Sequence, residues 1–301
     1  MRDPRHVAIT GASGGLGRAL ALEYARPGMA LSLCGRNAES LARTAGLARG
    51  KGAECFEALF DARDAEALVG WLAVSDRRAP LDLVIANAGI CRGVGPDGLE
   101  DPRDAVDTLR VNAETAILTS LCAARIMRTR GRGQIAVISS QAGRVPLTFT
   151  PAYAASKAAA RSYALSLRDG LAAQGVEVTA VSPGYLRSPM QETFVGGLIR
   201  AWPAERAARR IASALRGNPR EIRFPLLMNL LVWAFQFCPR FLAPPLLRSF
   251  SFRCEPPSGS GGGKPAQGAA GTAAGDPDAP GGGTSLGDGS GSGTGAEPFS
   301  G

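Results

Sequence analysis

Tyr153 and Lys157 stand four residues apart in "PAYAASKAAA" (151–160), a run otherwise made mostly of small side chains. Four residues is about one helical turn, so in a helix the phenol and the ammonium share a face. A tyrosine in water titrates near pH ~10, and a neighbouring positive charge favours the phenolate and lowers that value. A phenol placed in this way gives a proton to a carbonyl oxygen or takes one from an alcohol, which is general acid–base chemistry. The chain has one histidine, His6, near its N-terminus. Histidine is the usual proton shuttle at neutral pH, so proton transfer falls to the Tyr–Lys pair. A second group of residues points to phosphate. "TGASGGLG" (10–17) spaces Gly11, Gly15 and Gly17 as G-x-x-x-G-x-G. Glycines allow a tight turn and a close backbone approach, and a helix N-terminus that follows offers N–H groups and partial positive charge to a pyrophosphate. The bland alternative is a flexible turn with no ligand.

The surrounding pattern supplies the elements that must hold these groups. Short apolar runs, each of strand length, begin "HVAITG" (6–11), "MALSLCGR" (29–36) and "AECFEALFD" (53–61). "LDLVIANAG" (81–89), "QIAVISS" (134–140), "VEVTAVSPG" (176–184) and "EIRFP" (221–225) continue the series. Helical patterns lie between them at 16–25, 38–50, 64–74, 101–130, 153–175 and 204–217. Strands alternating with helices imply parallel crossovers and a sheet covered on both faces. The expectation is α/β: a single Rossmann-like, doubly wound parallel sheet of about seven strands. The glycine turn then joins its first strand to its first helix.

Bulk composition narrows the classes. The chain has 301 residues, is 45% hydrophobic and 20% charged, and carries a formal charge of +8. No arginine-rich block interleaved with aromatics appears, which argues against nucleic acid as a partner. The six cysteines are widely spaced with no C-x-x-C pair, so they read as reduced thiols of a cytoplasmic protein and not as a metal site. A strand-like run starting at His6 leaves no room for a signal peptide. Residues 256–301 are rich in Gly, Ser and Pro and read as a disordered tail. The expected organisation is a cofactor-binding and catalytic domain over 1–225, an apolar segment over 226–255, and that tail.

Over about residues 6–225 the sequence resembles the short-chain dehydrogenase/reductase family. The glycine spacing is that family's variant. "NAG" (87–89) follows the fourth strand, with Ala86 where asparagine is common, and "VN" (111–112) supplies a helix asparagine. "ISSQAG" (138–143) supplies a serine: Ser140 lies thirteen residues before Tyr153, the family spacing, and Ser139 lies fourteen before. "SPGYLRSPM" (182–190) matches the P-G turn, with Ser188 where threonine is usual. The resemblance implies a catalytic set of Asn112, Ser140, Tyr153 and Lys157. Ser140 would orient the substrate oxygen. Lys157 would also hold the nicotinamide ribose, and Asn112 a water relaying protons from Lys157. It implies cofactor contacts from Thr10, Gly11, Ser13, Gly15, Leu16, Gly17, Asn87, Ala88, Gly89, Tyr153, Lys157, Pro183, Gly184 and Ser188. Asp61, after the third strand, resembles the residue that meets the adenine.

An NAD-preferring member usually carries an aspartate at the end of the second strand. Here "LCGRN" (33–37) puts Gly35 at that place and Arg36 after it. A guanidinium suits a 2′-phosphate, so the expected cofactor is NADP(H), with NAD(H) the alternative. The family's other NADP mark, a basic residue inside the glycine turn, is missing, and Gly14 stands there.

Substrate residues are expected after the P-G turn, about 185–200, and in the C-terminal segment. From Leu226 to Cys238 only Asn229 and Gln236 are polar, and arginines flank the run. Spanning a bilayer needs about 20 apolar residues, so this segment is too short. It reads either as a lid or subunit-packing helix, or as a peripheral membrane contact through 225–250. Either reading points to an apolar carbonyl or alcohol substrate of steroid, retinoid or acyl type, with a keto-sugar or small ketone as the alternative. A non-catalytic, redox-sensing dinucleotide module is the rival from another class. Such relatives generally lose the tyrosine or the lysine, and this chain keeps both. The resemblance further implies a homodimer or homotetramer.

Overall fold

The computed structural model describes residues 3–187, 194–195, 201–236 and 253–254. The expectations that fall on Ser188, on 237–252 and on the tail 256–301 lie outside the described residues.

Seven strands form one parallel sheet: β1 (His6–Thr10), β2 (Ala30–Gly35), β3 (Glu54–Leu59), β4 (Leu83–Ala86), β5 (Gly133–Ile138), β6 (Val176–Pro183) and, after three short strands, β10 (Glu221–Phe224). Their order is β10-β6-β5-β4-β1-β2-β3. The seven expected strands are therefore the seven observed. β7 (Leu186–Arg187) pairs with β9 (Trp202–Pro203), and β8 (Phe194–Val195) with β11 (Arg253–Cys254), apart from the main sheet. β1, β4 and β5 are buried at every residue. That is why they read as unbroken apolar runs and not as alternating ones: both faces of a parallel sheet are covered.

The covering helices are α1 (Gly15–Tyr24), α2 (Ala38–Arg49) and α7 (Ala204–Leu215) on one side. On the other lie α3 (Ala65–Arg78), α5 (Thr115–Arg128) and α6 (Pro151–Leu171). Neighbouring residues of β1 divide accordingly. Val7 and Ile9 join the core with Leu20, Leu41 and Ile211, while Ala8 joins the core with Leu68, Leu72 and Ala160. α4 (Pro102–Leu109) precedes α5.

Helix starts follow ordinary capping chemistry. Asn37 accepts from the Ser40 N–H, Asp64 from Ala67, and Asp101 from Arg103 and Asp104, opening α2, α3 and α4. The start of α6 is pinned differently: the Glu100 carboxylate accepts the Ala152 N–H at 2.9 and 3.1 Å. Two features depart from the sequence expectation. α3 runs to Arg78 instead of stopping near 74. The helical pair expected over 101–130 is present as α4 and α5, but a π-helical turn, Arg110–Glu114, joins them, and Asn112 sits inside it. Such turns recur at functional sites.

The chain leaves β1 toward β2 and β3 in one direction and reaches β4, β5 and β6 in the other. The strand order thus reverses between β1 and β4, and a crevice opens at their carboxyl ends, where open α/β sheets bind ligands.

Candidate active site

The glycine turn lies at this switch point. The Thr10 hydroxyl accepts the N–H groups of Asn87 at 2.9 Å and Ala88 at 3.0 Å. The Asn87 amide donates to the carbonyls of Thr10 at 2.9 Å and Gly11 at 3.3 Å. The ends of β1 and β4 are thereby laced together. A Cβ at Gly17 would fall 2.1 Å from the Gly11 carbonyl oxygen, so only glycine lets α1 pack this close to the turn. Thr10 and Gly17 hold the turn and do not line the cavity. Gly11, Ser13, Gly15 and Leu16 do line it.

Unlike α2, α3 and α4, α1 starts without a side-chain cap. Its N-cap is Gly14, and its first turn holds no acidic residue. Nothing stands within 4 Å of where a Gly14 Cβ would be. The first N–H groups of α1 are thus left for an anion, favoured by the helix dipole and reachable from outside. These residues fit a dinucleotide pyrophosphate.

A cavity of about 430 Å³ runs from this turn past the ends of β4, β5 and β6. Ser140, Tyr153, Lys157, Pro183 and Gly184 line it, as do Asn87, Ala88 and Gly89. Tyr153 lies in the first turn of α6, with Lys157 one turn further on. The Lys157 ammonium donates to the Ile138 carbonyl at 3.0 Å and lies 5.8 Å from the centre of the Tyr153 ring. Ser140 caps a short 3-10 turn, Gln141–Arg144, accepting the Ala142 N–H at 3.1 Å, and it hydrogen-bonds with Tyr153. The neighbouring Ser139 is committed elsewhere, donating to the Lys157 carbonyl at 2.7 Å. Local geometry therefore separates the two serines: Ser140 faces the phenol and Ser139 fastens α6 to the end of β5.

Asn112 is fully buried and does not line the cavity. Its amide donates to the Ile90 carbonyl at 2.8 Å and to Ser156 Oγ at 3.0 Å, while its oxygen accepts the Ile90 N–H at 2.7 Å. One amide hydrogen thus holds the segment after β4 and the other reaches α6. A Cβ at Gly89 would come within 3.1 Å of Asn112 Oδ1 and 3.2 Å of Lys157 Nζ. Gly89 thus sits between the two side chains, and a larger residue at the end of "NAG" would have to push one of them aside.

Burial dominates the electrostatics. It pushes the Tyr153 phenol above its ordinary value, with the Ser140 hydrogen bond opposing. It pushes Lys157 down to about 8. The sequence expectation, a tyrosine lowered by its lysine, is not what the chain produces by itself. Lys157 is partly discharged by the same desolvation that protects the phenol, and its ammonium is turned to the Ile138 carbonyl. His6 is excluded from the chemistry. It is buried at the opposite end of β1, between the Ala79 carbonyl at 2.8 Å and Ser32 Oγ at 2.9 Å, and burial lowers its pKa.

At the far end Arg36 and Asp61 line the rim. Arg63 binds Asp61 at 2.9 Å and Asp107 at 3.0 Å, which holds the Asp61 carboxyl below its usual range. Arg36 is exposed and makes no hydrogen bond or ion pair with any described residue.

The opposite end is apolar. Val145, Leu147, Phe149 and Leu186 form walls, and α8 (Leu226–Gln236) adds Met228 and Val232. Asn229 of α8 accepts from Arg144 at 3.0 Å, tying this helix to the turn that Ser140 caps. The inner face of α8 thus borders the apolar end of the cavity. Its outer face is also apolar: Leu226, Leu227 and Leu230 are more than half exposed, at 71%, 64% and 52%. No helix among the described residues is long and apolar enough to cross a membrane. Sequence reasoning named the segment, Val232 included, but did not single out Met228 and Val232 as lining the cavity, because a run apolar all round does not reveal which face turns inward. It also passed over Gln141, whose only signal was its place beside Ser140.

The chain matches the short chain dehydrogenase family over residues 5–196, and it belongs to that family. Members are oxidoreductases that bind nicotinamide dinucleotides, act on small molecules and commonly form oligomers. Among curated proteins it is similar to gluconate 5-dehydrogenase of Gluconobacter oxydans, at 31% identity over 62% of this chain and 73% of that one. It is also similar to dehydrogenase/reductase SDR family member 7B of Bos taurus, at 35% identity over 60% of this chain and 58% of that one. The solved structure of levodione reductase shares the fold with a TM-score of 0.66 at 21% identity, covering 73% of this chain and 95% of the other.

Proposed function

We propose that the protein is an NADP(H)-dependent oxidoreductase acting on a carbonyl or secondary alcohol, with Tyr153 as proton donor and acceptor. The observation that carries this is the meeting of a half-buried Tyr153, hydrogen-bonded by Ser140, with Lys157 and an uncapped helix N-terminus in one cavity. A bound nicotinamide supplies or accepts the hydride. The glycine turn binds its phosphates, Lys157 its ribose, and Asp61 the adenine end. Ser140 holds the substrate oxygen against the Tyr153 hydroxyl, which gives its proton as the alkoxide forms. Asn112 is a positioning residue that fixes the segment bordering Lys157. Residues 1–225 form the catalytic body and α8 closes the apolar end of the cavity, in a homodimer or homotetramer.

The apolar walls favour a steroid-, retinoid- or acyl-like substrate. A keto-sugar is the second reading, which the similarity to a gluconate dehydrogenase favours. NADPH oxidation measured against ketosteroids, retinal, long-chain beta-keto lipids and keto-sugars tests both. Turnover of the apolar ketones is expected to exceed that of the sugars. Turnover of sugars alone would reverse the assignment, and no turnover with any carbonyl would leave the redox-sensing module.

The pH dependence should carry the mark of Lys157. The phenol stays protonated across the working range, while Lys157 loses its charge as pH rises through about 8. The kcat/KM for reduction should therefore be level on the acid side and fall through that point. In Lys157→Arg the fall should move out of range, since a guanidinium keeps its charge. A wild-type profile level on the alkaline side would separate Lys157 from the proton step.

We also propose that the outer face of α8 rests on an anionic lipid surface. Between Arg223 and Arg253 the sequence has four arginines and no Asp or Glu, a composition that suits anionic head groups. An arginine near such a surface contributes about 1 kcal/mol, beside the burial of exposed leucines. Cosedimentation with anionic vesicles, weaker with neutral ones and lost in Leu227→Glu, is the expected result. Protein that stays in the supernatant throughout would assign this face to subunit packing.

A further inference from the structure

Gln141 follows Ser140 directly and lines the same cavity. Its side chain is buried, only 3% exposed. Neither its amide nitrogen nor its amide oxygen has a hydrogen-bond partner among the described residues. This is a costly arrangement. A buried polar group left unpaired loses roughly 1–3 kcal/mol, and native structures contain few of them, each calling for a reason. Much of the lining of this cavity offers no relief: the side chains of Val145, Leu147, Met228 and Val232 present only carbon and sulfur. An apolar residue of the same size would pack here at no such cost. The uncompensated amide is explained if its partner arrives with the substrate.

The chemistry of that partner follows from the amide. Glutamine offers two N–H donors and a carbonyl acceptor, and no charge. A hydroxyl matches it best, being donor and acceptor at once, and a carbonyl oxygen satisfies the donor half. An anionic group would call for a cation. Lys157 is committed to the catalytic end, and Arg36 stands at the far rim. Gln141 adjoins Ser140 in the chain and lines the same cavity, so the oxygen it would read is assigned to the carbon beside the carbonyl that Ser140 would hold.

We propose that Gln141 is a specificity-determining residue that reads a neutral oxygen on the carbon next to the reacting carbonyl. The preferred substrate is then an apolar vicinal hydroxy ketone, or the corresponding diol in the reverse direction. This rests on the oxidoreductase reading and narrows it: a plain ketone leaves the amide unpaired, and a sugar acid brings a charge the amide does not match.

The test uses two ligands of equal apolar body, tetralone and the hydroxytetralone with its hydroxyl on the adjacent carbon. Binding is measured by calorimetric titration of the full chain with NADP⁺ present, and turnover by NADPH oxidation. Sites built to hydrogen-bond a substrate group discriminate strongly against analogues that lack it. The wild type is expected to favour the hydroxy ketone by about tenfold or more in both measurements. In Gln141→Leu that ratio should fall to near one, while the thermal midpoint holds or rises, since a leucine removes the unpaired amide. The variant Gln141→Glu, which brings a charge, should also lose the preference. A wild type without preference, including one that binds neither ligand, overturns the proposal. A Gln141→Leu protein that keeps the preference, or whose midpoint drops by several degrees, does the same, since the amide would then be a structural partner. Preference in binding without any turnover would uphold Gln141 and overturn the oxidoreductase reading instead.

Discussion

Replacing Tyr153 with phenylalanine should lower carbonyl reduction by about 10²–10⁴-fold, the usual worth of a positioned acid or base, while cofactor affinity and fold stay as they are. The ring keeps its place in the first turn of α6 and loses only the hydroxyl. Ser140 retains its bond from the Ala142 N–H and its contact with the Pro183 carbonyl, so no buried group is orphaned, and the stability change should be within about 1 kcal/mol. Few groups could substitute for the phenol. His6 lies at the wrong end of β1, Lys157 is turned to the Ile138 carbonyl, and Tyr185, which also lines the cavity, is pushed up to about 12 by burial. Stopped-flow reduction with NADPH, beside a cofactor titration by protein fluorescence, separates the two effects. A variant with near-normal rates would remove Tyr153 from its role. A variant that lost cofactor binding as well would show the hydroxyl to be part of the nicotinamide site.

The strands were legible because burying both faces of a parallel sheet leaves runs such as His6–Thr10 and Gly133–Ile138 with little room for alternation. The turn of α1 was legible because its glycines answer to close contact: Gly17 lies against the Gly11 carbonyl, as a sequence position that tolerates nothing larger must. The Tyr–Lys pair was legible from spacing alone. Two things were hidden. One was the sign of the Tyr153 perturbation, since burial is set by residues distant in sequence, and desolvation dominated. The other was the division of labour among neighbours of one motif. "SSQAG" reads as a unit, yet Ser139 fastens α6, Ser140 faces the phenol and Gln141 is buried without a partner. Those assignments depend on the backbone entering the 3-10 turn at Ser140, which no periodicity announces. The π-helical turn around Asn112 was hidden for the same reason: its residues are ordinary helix formers, and the insertion is set by packing against Ile90 and Ser156.

Arg36→Ala should reverse the cofactor preference, and the surroundings of Arg36 say by how much. β2 ends at Gly35, and a Cβ there would come within 3.0 Å of both Cβ and Oγ of Ser13. A carboxylate at that position, the group that would accept from the ribose hydroxyls of NAD, would therefore crowd the glycine turn. The cation that follows is exposed at the rim and unpaired among the described residues, whereas its neighbour Arg63 is held by Asp61 and Asp107. Asp61 lies close enough to feel Arg36, but its charge is already answered by Arg63, so the repulsion it would exert on a phosphate is muted. A hydrogen bond to a charged group is worth roughly 1.5–3 kcal/mol, and about 1.4 kcal/mol is tenfold. Loss of Arg36 should thus weaken NADPH by about 10–100-fold. NADH, which lacks the 2′-phosphate, should change by less than about threefold, since the glycine turn, Lys157 and the α1 N-terminus would, on the proposed reading, hold what the two cofactors share. Kd values for both, from calorimetric titration of wild type and variant, decide the matter. Equal losses would mean that Arg36 shapes the rim without reading the phosphate, and the NADP(H) assignment would fall with it.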